Sequence, residues 1–292
     1  MATVHLIDAS PYFFRAWFSV PDTMTTPDGW PVNAVYGFVG FLNRLVREEE
    51  PTHIGVAFDQ SLTTSFRNDI YPDYKAQREL PPEDLERQQE ASRDVARAMG
   101  MEVFVDQRYE ADDLIATLHA QLRADGHSVV VVSSDKDLGQ LVDAETTLFD
   151  FAKGDRYGPA EIQAKFGVRP AQIPEFQGLA GDSVDNIPGV AGVGPKTAAT
   201  LLGAFETLDE VYDGLDRIPE LGFRGARTLP AKLAAERERA FLSRRLARLA
   251  LDAPAAADLA LLAFEGADSA AVERVFGALG LAGIGGRVRL RR

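Results

Sequence analysis

Residues 129–141 read VVVVSSDKDLGQL, an apolar run that ends in two serines and then two aspartates. A continuous run of valines is typical of a strand that is buried on both faces of a parallel sheet. Two other apolar runs also end on an acid, one at Asp8 and one at Asp59. Because ligands bind beyond the carboxyl ends of the strands of an open parallel sheet, we expect Asp8, Asp59 and Asp135 to lie at one edge.

The first half of the chain alternates between strand patterns and helical patterns. Such alternation predicts an α/β fold, in which helices cover both faces of a parallel sheet. From about residue 170 the strand pattern gives way to helical stretches such as residues 198–204 and 229–250. We therefore predict a first domain over residues 1–172 and a helical domain over residues 173–292. The predicted strands are residues 3–7, 54–58, 102–105, 129–132 and 147–151, and the clearest helices are residues 35–46, 82–99 and 112–122.

The composition narrows the class of protein. The chain has 292 residues and no cysteine, which excludes disulfides, thiolate zinc sites and a cysteine nucleophile. Its N-terminal apolar stretch contains Asp8 and follows no basic segment, so we expect a cytoplasmic protein with no signal peptide and no membrane association. The formal net charge of -13 ordinarily argues against a polyanionic partner, because phosphates are neutralised by lysine and arginine.

Further acids fall where a helix is predicted to begin and just after Asp135. Glu110, Asp112 and Asp113 occupy a helix start, where the helix dipole favours acids, so capping alone explains part of this group. Glu110 converges with Asp112 only if it is still in the preceding loop, because the two would point about 200° apart on an ideal helix. Asp137 follows Asp135 by two residues, which would put both side chains on one face of extended backbone.

Asp182 and Asp185, three residues apart in one helical turn or tight loop, complete the set of acids. A single exposed acid is usually a solvated surface residue or a helix cap. About nine carboxylates at strand ends and helix starts, however, would repel one another unless cations lay among them. Oxygen ligands without cysteine or clustered histidine select Mg²⁺ or Mn²⁺, and two such ions about 4 Å apart suit in-line attack of water on a phosphodiester.

Five stretches of the chain occur together in a known order and spacing. They are LIDAS around Asp8, AFDQ around Asp59, YEADD at residues 109–113, SSDKDLGQL from Ser133 and GDSVDNIPGV from Gly181. With these stretches the chain resembles the 5' nuclease superfamily, which includes bacterial flap endonucleases and the 5'-3' exonuclease domain of DNA polymerase I. The resemblance covers about residues 3–250.

The resemblance implies a PIN-like nuclease domain followed by a helix-hairpin-helix (H3TH) DNA-binding domain. It implies a structure-selective 5'-3' exonuclease or 5' flap endonuclease that uses a two-metal-ion mechanism in replication and repair. Two or three ions, Mg²⁺ or Mn²⁺, would occupy the acids. Asp8, Asp59, Glu110 and Asp112 would surround one ion, and Asp135, Asp137, Asp182 and Asp185 the other, with Asp112 or Asp113 near the bridge between them.

The resemblance also places a helical arch near residues 63–100, above the acids. Lys75 and Arg78, one helical turn apart, would act as catalytic cations on the scissile phosphate, with Arg67 as a weaker candidate for a DNA contact. A solvated, charged helix start is the alternative interpretation of this segment. Phe14 would stack on a base beside the scissile phosphate, and a core aromatic is an equally good interpretation of this residue.

The glycine-rich stretch after Asp185 is interpreted as the hairpin of the helix-hairpin-helix. Pro195 and the lack of a preceding strand argue against a Walker A loop, and a glycine-rich turn between helices is the alternative. In the family this element, with K⁺ bound, holds duplex DNA through phosphates. The expected DNA-binding residues here are Gly189, Gly192, Gly194, Lys196 and Thr197. Basic residues over 224–248 form either a second duplex track or an amphipathic surface helix.

The expected partner is DNA with a 5' flap, a nick or a branch, and RNA primer ends belong to the same expectation. A separate DNA polymerase is the expected functional partner. Two alternatives remain open at this point. A PIN-type ribonuclease would share the acidic sheet edge without needing the hairpin, and a catalytically silent DNA-binding protein would use only the second domain.

Overall fold

The computed structural model describes residues 1–60, 64–78 and 82–291 of the chain. Its strands are β1 (Thr3–Asp8), β2 (Ile54–Asp59), β3 (Glu102–Asp106), β4 (Ser128–Val132), β5 (Thr146–Asp150) and β6 (Asp155–Tyr157). They form one sheet in the order β3-β2-β1-β4-β5-β6, in which the first five strands are parallel and β6 is antiparallel to β5. The predicted parallel α/β domain is thereby confirmed. Strand β6 lies outside the predicted strands, because three residues are too few to show a pattern.

Helices cover both faces of this sheet. The helices of the first part are α1 (Ser10–Ser19), α2 (Asn33–Glu49), α3 (Phe66–Ile70), α4 (Glu83–Ala98) and α5 (Ala111–Ala124). Successive residues of β1 point to opposite faces. Leu6 therefore packs in the apolar cluster that contains Leu114 of α5, whereas Ile7 packs in the cluster that contains Phe38 of α2.

The strand register brings the acidic strand ends together. In the pairing of β1 with β2, Asp8 lies beside Ala57, and in the pairing of β1 with β4, Ile7 lies beside Val132. The residues that follow β1, β2 and β4 therefore emerge at the same edge of the sheet. A 3-10 helix, Asp137–Leu141, begins directly beyond β4 and keeps that segment at the edge.

The second part of the chain is helical. Its helices are α6 (Pro159–Phe166), α7 (Ile173–Ala180), α8 (Pro195–Ala204), α9 (Leu208–Asp213), α10 (Leu229–Ala235) and α11 (Arg237–Ala247), with short 3-10 helices at Pro170–Gln172 and Leu215–Leu221. Helix α7 packs against α11 and α8. The helical run predicted over residues 229–250 is two helices, because Glu236 leaves helical geometry at φ -112° and ψ 22°. Its carboxylate accepts a hydrogen bond from the N–H of Ala191, between α7 and α8.

The end of the chain returns to the sheet domain as α12 (Leu259–Leu262), α13 (Ser269–Ala278) and α14 (Ala282–Gly285). The N–H of Phe264 donates to the carbonyl of Thr52 at 2.7 Å. Val272 and Phe276 are buried in the apolar cluster that also contains residues of α2 and α4. Residues 264–288 therefore contribute to the core of the first domain, and the boundary between a first domain over residues 1–172 and a second over residues 173–292 stays a prediction. Within the part of the chain that the structure describes, no helix has both the length and the apolar character to cross a membrane.

Candidate active site

Asp8 and Asp59 stand at the ends of neighbouring strands and share a network of serine hydroxyls. Ser10 donates from Oγ to Asp59 Oδ2 at 2.5 Å and from its N–H to Asp8 Oδ1 at 3.1 Å. Ser133 Oγ donates to Asp8 Oδ2 at 2.7 Å. Asp8 is only 3% exposed, and this burial, with the charges of Asp59 and Asp135, raises the pKa of Asp8 to about 8. Ionisation of Asp8 is therefore unfavourable at this edge unless a cation joins it.

The start of α5 carries Glu110 and Asp112 at the same edge of the sheet. Glu110 precedes the helix in extended backbone, with φ -77° and ψ 164°, so the geometry that convergence with Asp112 requires is present. Although burial opposes it, the ammonium of Lys75, which lies 2.9 Å from the carboxylate, holds the pKa of Glu110 below its ordinary value. Burial and the nearby charge of Asp135 raise the pKa of Asp112 well above its ordinary value.

Asp137 and Asp182 meet at a buried amide. Gln177 Nε2 donates to Asp137 Oδ1 at 2.6 Å and to Asp182 Oδ2 at 3.4 Å. Burial and the charge of Asp135 raise the pKa of Asp137 to about 8. Asp182 pairs with Lys136, which lowers the pKa of Asp182 even though burial opposes the shift.

Tight turns position the remaining aspartates of the site, which are Asp135, Asp137, Asp182 and Asp185. Asp135 Oδ1 accepts from the N–H of Asp137 at 2.8 Å, where the 3-10 helix begins. The prediction that these two residues share a face of extended backbone is therefore wrong, because a turn brings them together. Asp182 and Ile187 exchange backbone hydrogen bonds of 2.8 and 2.7 Å, which close a tight loop around Asp185.

The segment that follows α3 lies over these carboxylates. Lys75 Nζ lies 2.9 Å from Glu110 and 3.7 Å from Asp185, and Arg78 lies 2.6 Å from Asp185. The hydroxyl of Tyr74 donates to the same two carboxylates, at 3.0 and 3.2 Å. The segment is a series of turns in which Lys75 has a φ of 54°. Lys75 and Arg78 are therefore not on a helix, contrary to the prediction.

The arch near residues 63–100 stays a prediction, and the structure describes two segments of that range. Helix α3 with the turns up to residue 78 forms the first, and α4 forms the second. Residues 63 and 79–81 of the prediction lie outside the described residues. The first segment is tied to the acidic edge through Tyr74 and Lys75.

The acids fit divalent ions by their chemistry, although the side chains as they stand do not surround one. Among the described residues, no three acidic or histidine side chains are arranged to hold a metal ion. Basic side chains pair with several carboxylates instead: Lys75 with Glu110, Arg78 with Asp185, and Lys136 with Asp182. The raised pKa values of Asp8 and Asp137 mean that these buried carboxyls hold their protons unless further positive charge joins the edge. Carboxylate oxygens of this kind are the ligands that Mg²⁺ and Mn²⁺ prefer.

Arg67 and Asp113 have structural positions that correct two predictions. Arg67 is 1% exposed and donates to Asp113 at 2.6 and 2.8 Å, to the carbonyl of Leu246 at 2.8 Å and to that of Arg248 at 3.1 Å. Asp113 is fully buried and also accepts from the N–H of Ala250 at 2.8 Å. Arg67 is thus not available as a DNA contact, and Asp113 is not available as a metal ligand, because both oxygens of Asp113 are engaged.

Gly189 also differs from its predicted role. Its N–H donates to Ser243 Oγ at 2.9 Å. A Cβ atom at Gly189 would lie 2.3 Å from the backbone nitrogen of Gly181, and the φ of Gly189 is 60°. The glycine allows the hairpin to pack against the loop that carries Asp182, and its N–H is not free to bind a phosphate.

The rest of the hairpin is accessible. Residues 181–194 join α7 to α8, and Gly192, Gly194 and Lys196 are exposed while Thr197 is half-buried. Helix, hairpin and helix therefore follow one another as the resemblance implies. The DNA-binding role of these four residues stays a prediction.

Phe14 is half-buried on α1. Its ring meets Phe13 edge-on, with centroids 5.7 Å apart, and packs against the cluster that contains Ile7. The ring therefore takes part in the core, and stacking on a base stays a prediction.

Sequence reasoning misses four side chains that hydrogen-bond to the acids. Their only signals in the sequence are that they adjoin motif residues or occupy a helix position. They are Ser10, Tyr74, Ser133 and Gln177.

Comparison with known proteins follows the same division of the chain. A family model described as 5'-3' exonuclease, N-terminal resolvase-like domain, matches residues 3–167, and one described as 5'-3' exonuclease, C-terminal SAM fold, matches residues 168–270. DNA polymerase I of Bacillus caldotenax is 40% identical over 279 residues, which are 94% of this chain and 31% of that protein. The chain therefore spans less than a third of the length of this relative.

Two solved structures have a similar fold. The T5 D15 protein co-crystallised with metal ions superposes with a TM-score of 0.69 at 17% identity, over 98% of this chain and 96% of that one. The bacteriophage T5 D15 flap endonuclease in a complex with DNA and metal ions has a TM-score of 0.64 at 19% identity, over 97% of each chain. The two structures establish the fold, and the two family models establish the family. The chain belongs to the 5'-3' exonuclease family.

Proposed function

We propose that this chain is a structure-selective 5'-3' exonuclease and 5' flap endonuclease that hydrolyses phosphodiester bonds of DNA. The observation that carries the proposal is a sheet edge where buried and partly exposed carboxylates from several segments meet beneath two cationic side chains. The carboxylates are those of Asp8, Asp59, Glu110, Asp112, Asp135, Asp137, Asp182 and Asp185. The bacteriophage T5 protein of similar fold, crystallised with DNA and metal ions, supports the proposal.

The proposed cofactors are two divalent ions, Mg²⁺ or Mn²⁺. Asp8, Asp59, Glu110 and Asp112 would hold one ion, and Asp135, Asp137, Asp182 and Asp185 the other. When bound, such ions offset the charge of the carboxylates and stabilise charge on the attacking and leaving oxygens. The hydrogen bonds from Ser10, Ser133 and Gln177 fix the orientation of the carboxylates, which supports ligand geometry at both groups. A K⁺ ion at the hairpin belongs to the same proposal and rests on family membership alone.

Lys75 and Arg78 are the proposed catalytic cations. Both now pair with carboxylates of the acidic edge, so any positive charge that joins the edge competes with them for the same oxygens. A phosphate at that edge offers oxygens to which both side chains can donate instead. In that position they would stabilise the negative charge that develops on the phosphate.

Lys196 is the proposed phosphate contact of the hairpin, and its removal gives a direct test. We expect Lys196→Ala to weaken binding of a plain DNA duplex about three- to tenfold and to lower the slope of log K against log salt by about one, because one phosphate contact is lost. Fluorescence anisotropy in EDTA, between about 50 and about 200 mM salt, measures both. Arg287→Ala, an exposed cation on the returning C-terminal segment, is the control. An unchanged salt slope in Lys196→Ala would place the hairpin outside the interface.

The two alternative functions are less well supported. A PIN-type ribonuclease would not require the exposed hairpin between α7 and α8 or the match of the C-terminal family model. A silent DNA-binding protein would not require buried acids that raise one another's pKa values. Cleavage of DNA flaps and of RNA separates the three functions.

The deciding experiment is cleavage of a 5'-labelled flap duplex with Mg²⁺ or Mn²⁺. We expect cutting at the flap junction that stops when EDTA is added, and much slower cutting of a matched single strand. Asp135→Ala should remove cleavage, because it deletes a carboxylate of the proposed second ion. Lys196→Ala should keep cleavage at saturating enzyme. Preferred cleavage of single-stranded RNA would favour the ribonuclease, and flap binding without cutting would favour the binding protein.

The proposed task of the enzyme is to process 5' ends left by replication and repair, including RNA primer ends. The relative with 40% identity is a DNA polymerase I, in which the matching region is 31% of the protein. We propose that this chain works with a DNA polymerase on the same substrates. A flap made by polymerase extension past a nick, supplied in the same reaction, should then be removed and leave a ligatable nick.

A further inference from the structure

A cavity of about 450 Å³ opens beside the second proposed ion group, and Asp182 of that group lines the cavity wall. It lies between α6, α7 and the loop after α7, and its volume is within the range of small-ligand sites. The half-buried rings of Phe166 and Phe176 line it, and Val184, which is 61% exposed, stands at its side. Apolar surface thus remains open to solvent directly next to the acidic edge.

Two lysines and one aspartate, Asp182, line the cavity, so its net charge is positive. Lys136 and Lys165 both line it. Lys136 pairs with Asp182, whereas Lys165 forms no ion pair within the described residues and lies over the ring of Tyr157 at 4.0 Å. Positive charge beside aromatic rings is the combination that binds single-stranded nucleic acid, through the phosphate and the base respectively.

A buried acceptor without a partner marks the same cavity. Gln177 lines it and is 1% exposed. Its Nε2 donates to Asp137 and Asp182, and the ionised Asp182, which pairs with Lys136, can only accept, so Asp182 sets the orientation of the amide. Among the residues that the structure describes, Gln177 Oε1 has no hydrogen-bond partner. Buried polar atoms are normally satisfied, so this oxygen is free to accept from a ligand N–H group that reaches it.

We propose that the cavity binds one unpaired nucleotide of the DNA substrate. Its base lies against Phe166 and Phe176 and donates an N–H to Gln177 Oε1, and its phosphate pairs with Lys165. Every DNA base carries at least one N–H donor, so the site accepts any base. An apolar ligand would leave Lys165 and Gln177 without partners. The inference rests on the proposed function, because it takes DNA as the substrate at the neighbouring edge.

Binding of mononucleotides to the whole chain in EDTA tests the site without cleavage. We expect dAMP and dTMP to bind, and 2-deoxyribose 5-phosphate, which lacks the base, to bind at least about tenfold more weakly, because base stacking on aromatic rings dominates such contacts. Isothermal titration calorimetry gives the affinities. Phe176→Leu should weaken dAMP binding by about tenfold, and Lys165→Gln should weaken it by about threefold. Phe223→Leu, a half-buried ring of the helical part, is the matched control.

The outcomes are distinct for the site and for the enzyme. Equal affinity for dAMP and the base-free sugar phosphate, or dAMP binding unaffected by both Phe176→Leu and Lys165→Gln, would overturn the nucleotide site. Lys165→Gln changes an exposed side chain, so it keeps the test valid if Phe176→Leu does not fold. Wild-type flap cleavage without dAMP binding would reject the site alone, whereas dAMP binding without flap cleavage would reject the proposed function and leave the site in place.

Discussion

Asp137→Asn is expected to reduce flap cleavage by at least about a thousandfold and, at the same time, to raise the thermal stability of the metal-free protein. Asp137 is 8% exposed, and its buried carboxylate is surrounded by other acids, which raises its pKa to about 8. Asparagine keeps the acceptor that Gln177 Nε2 needs and removes the charge. We expect a gain of at least about 1 kcal/mol, which corresponds to about 2–4 °C in Tm for a chain of this size.

The stability effect of Asp137 depends on pH with a definite sign. The ordinary pKa of the group is 3.8, and in the folded chain it is about 8, so the folded state binds the proton more tightly than the unfolded state. This contributes stability below about pH 4, and the contribution is lost as pH rises through about 8. The metal-free wild type should therefore lose stability between these limits, and Asp137→Asn should lose less of it. Asp8, whose pKa is also about 8, leaves part of the slope in the variant.

Thermal unfolding in EDTA measures the gain in stability, and thermal unfolding with Mn²⁺ tests whether Asp137 belongs to a metal site. Mn²⁺ should raise the Tm of the wild type, because it binds only the folded state, and should raise that of Asp137→Asn much less. Asp252→Asn, which changes an exposed acid, should alter neither Tm nor cleavage. If Asp137→Asn cleaved flaps at the wild-type rate, or unfolded at a lower temperature than the wild type in EDTA, the carboxylate would not be part of a charged metal site.

Among the residues of the site, the acids at strand ends could be predicted most directly from the sequence. A buried parallel strand shows as a run of valines, and the residue after it must emerge at the carboxyl edge, so Asp8 and Asp59 follow from local pattern alone. Glu110 belongs to this class as well, because its position before α5 is set by the start of a helical pattern. The family and the α/β fold were also within reach of the sequence, since the motifs keep their order.

Side chains that act across long sequence distances were not within reach. In the sequence, Arg67 looks like a free cation and Asp113 like an acid of the site. Only the structure, in which residues 246–250 lie beside the start of α5, shows that the two side chains pair with each other and with backbone groups there. Gln177 has no motif, because its role depends on two aspartates on different segments. In the same way, residues 264–288 have a helical composition that fits either domain, and only the structure shows that they pack with α2 and α4.

Arg67→Met is expected to destabilise the protein by about 3–5 kcal/mol, the usual cost of leaving a buried charge without its partner. The guanidinium lies against Asp113, which is fully buried, and it also satisfies the carbonyls of Leu246 and Arg248. Methionine has a comparable length without the charge, so the loss of the ion pair rather than a cavity dominates the change. Urea unfolding of the wild type, Arg67→Met and Arg47→Met measures it. Arg47 has a 74% exposed side chain and should give less than about 1 kcal/mol.

A double variant separates a structural role for Arg67 from a DNA contact. Arg67→Met leaves the buried charge of Asp113 without a partner, and Asp113→Asn removes that charge, while the amide oxygen can still accept from the N–H of Ala250. The double variant should therefore lose less free energy of unfolding than the sum of the two single variants. Arg67→Met and the double variant, measured below their unfolding temperatures in EDTA, should bind flap DNA within about twofold of the wild type, because a side chain that is 1% exposed cannot reach a phosphate. A stable Arg67→Met protein with DNA affinity reduced tenfold would instead show that Arg67 leaves Asp113 to contact DNA. Arg67 would then change position when DNA binds, rather than holding α3, α5 and the end of α11 together.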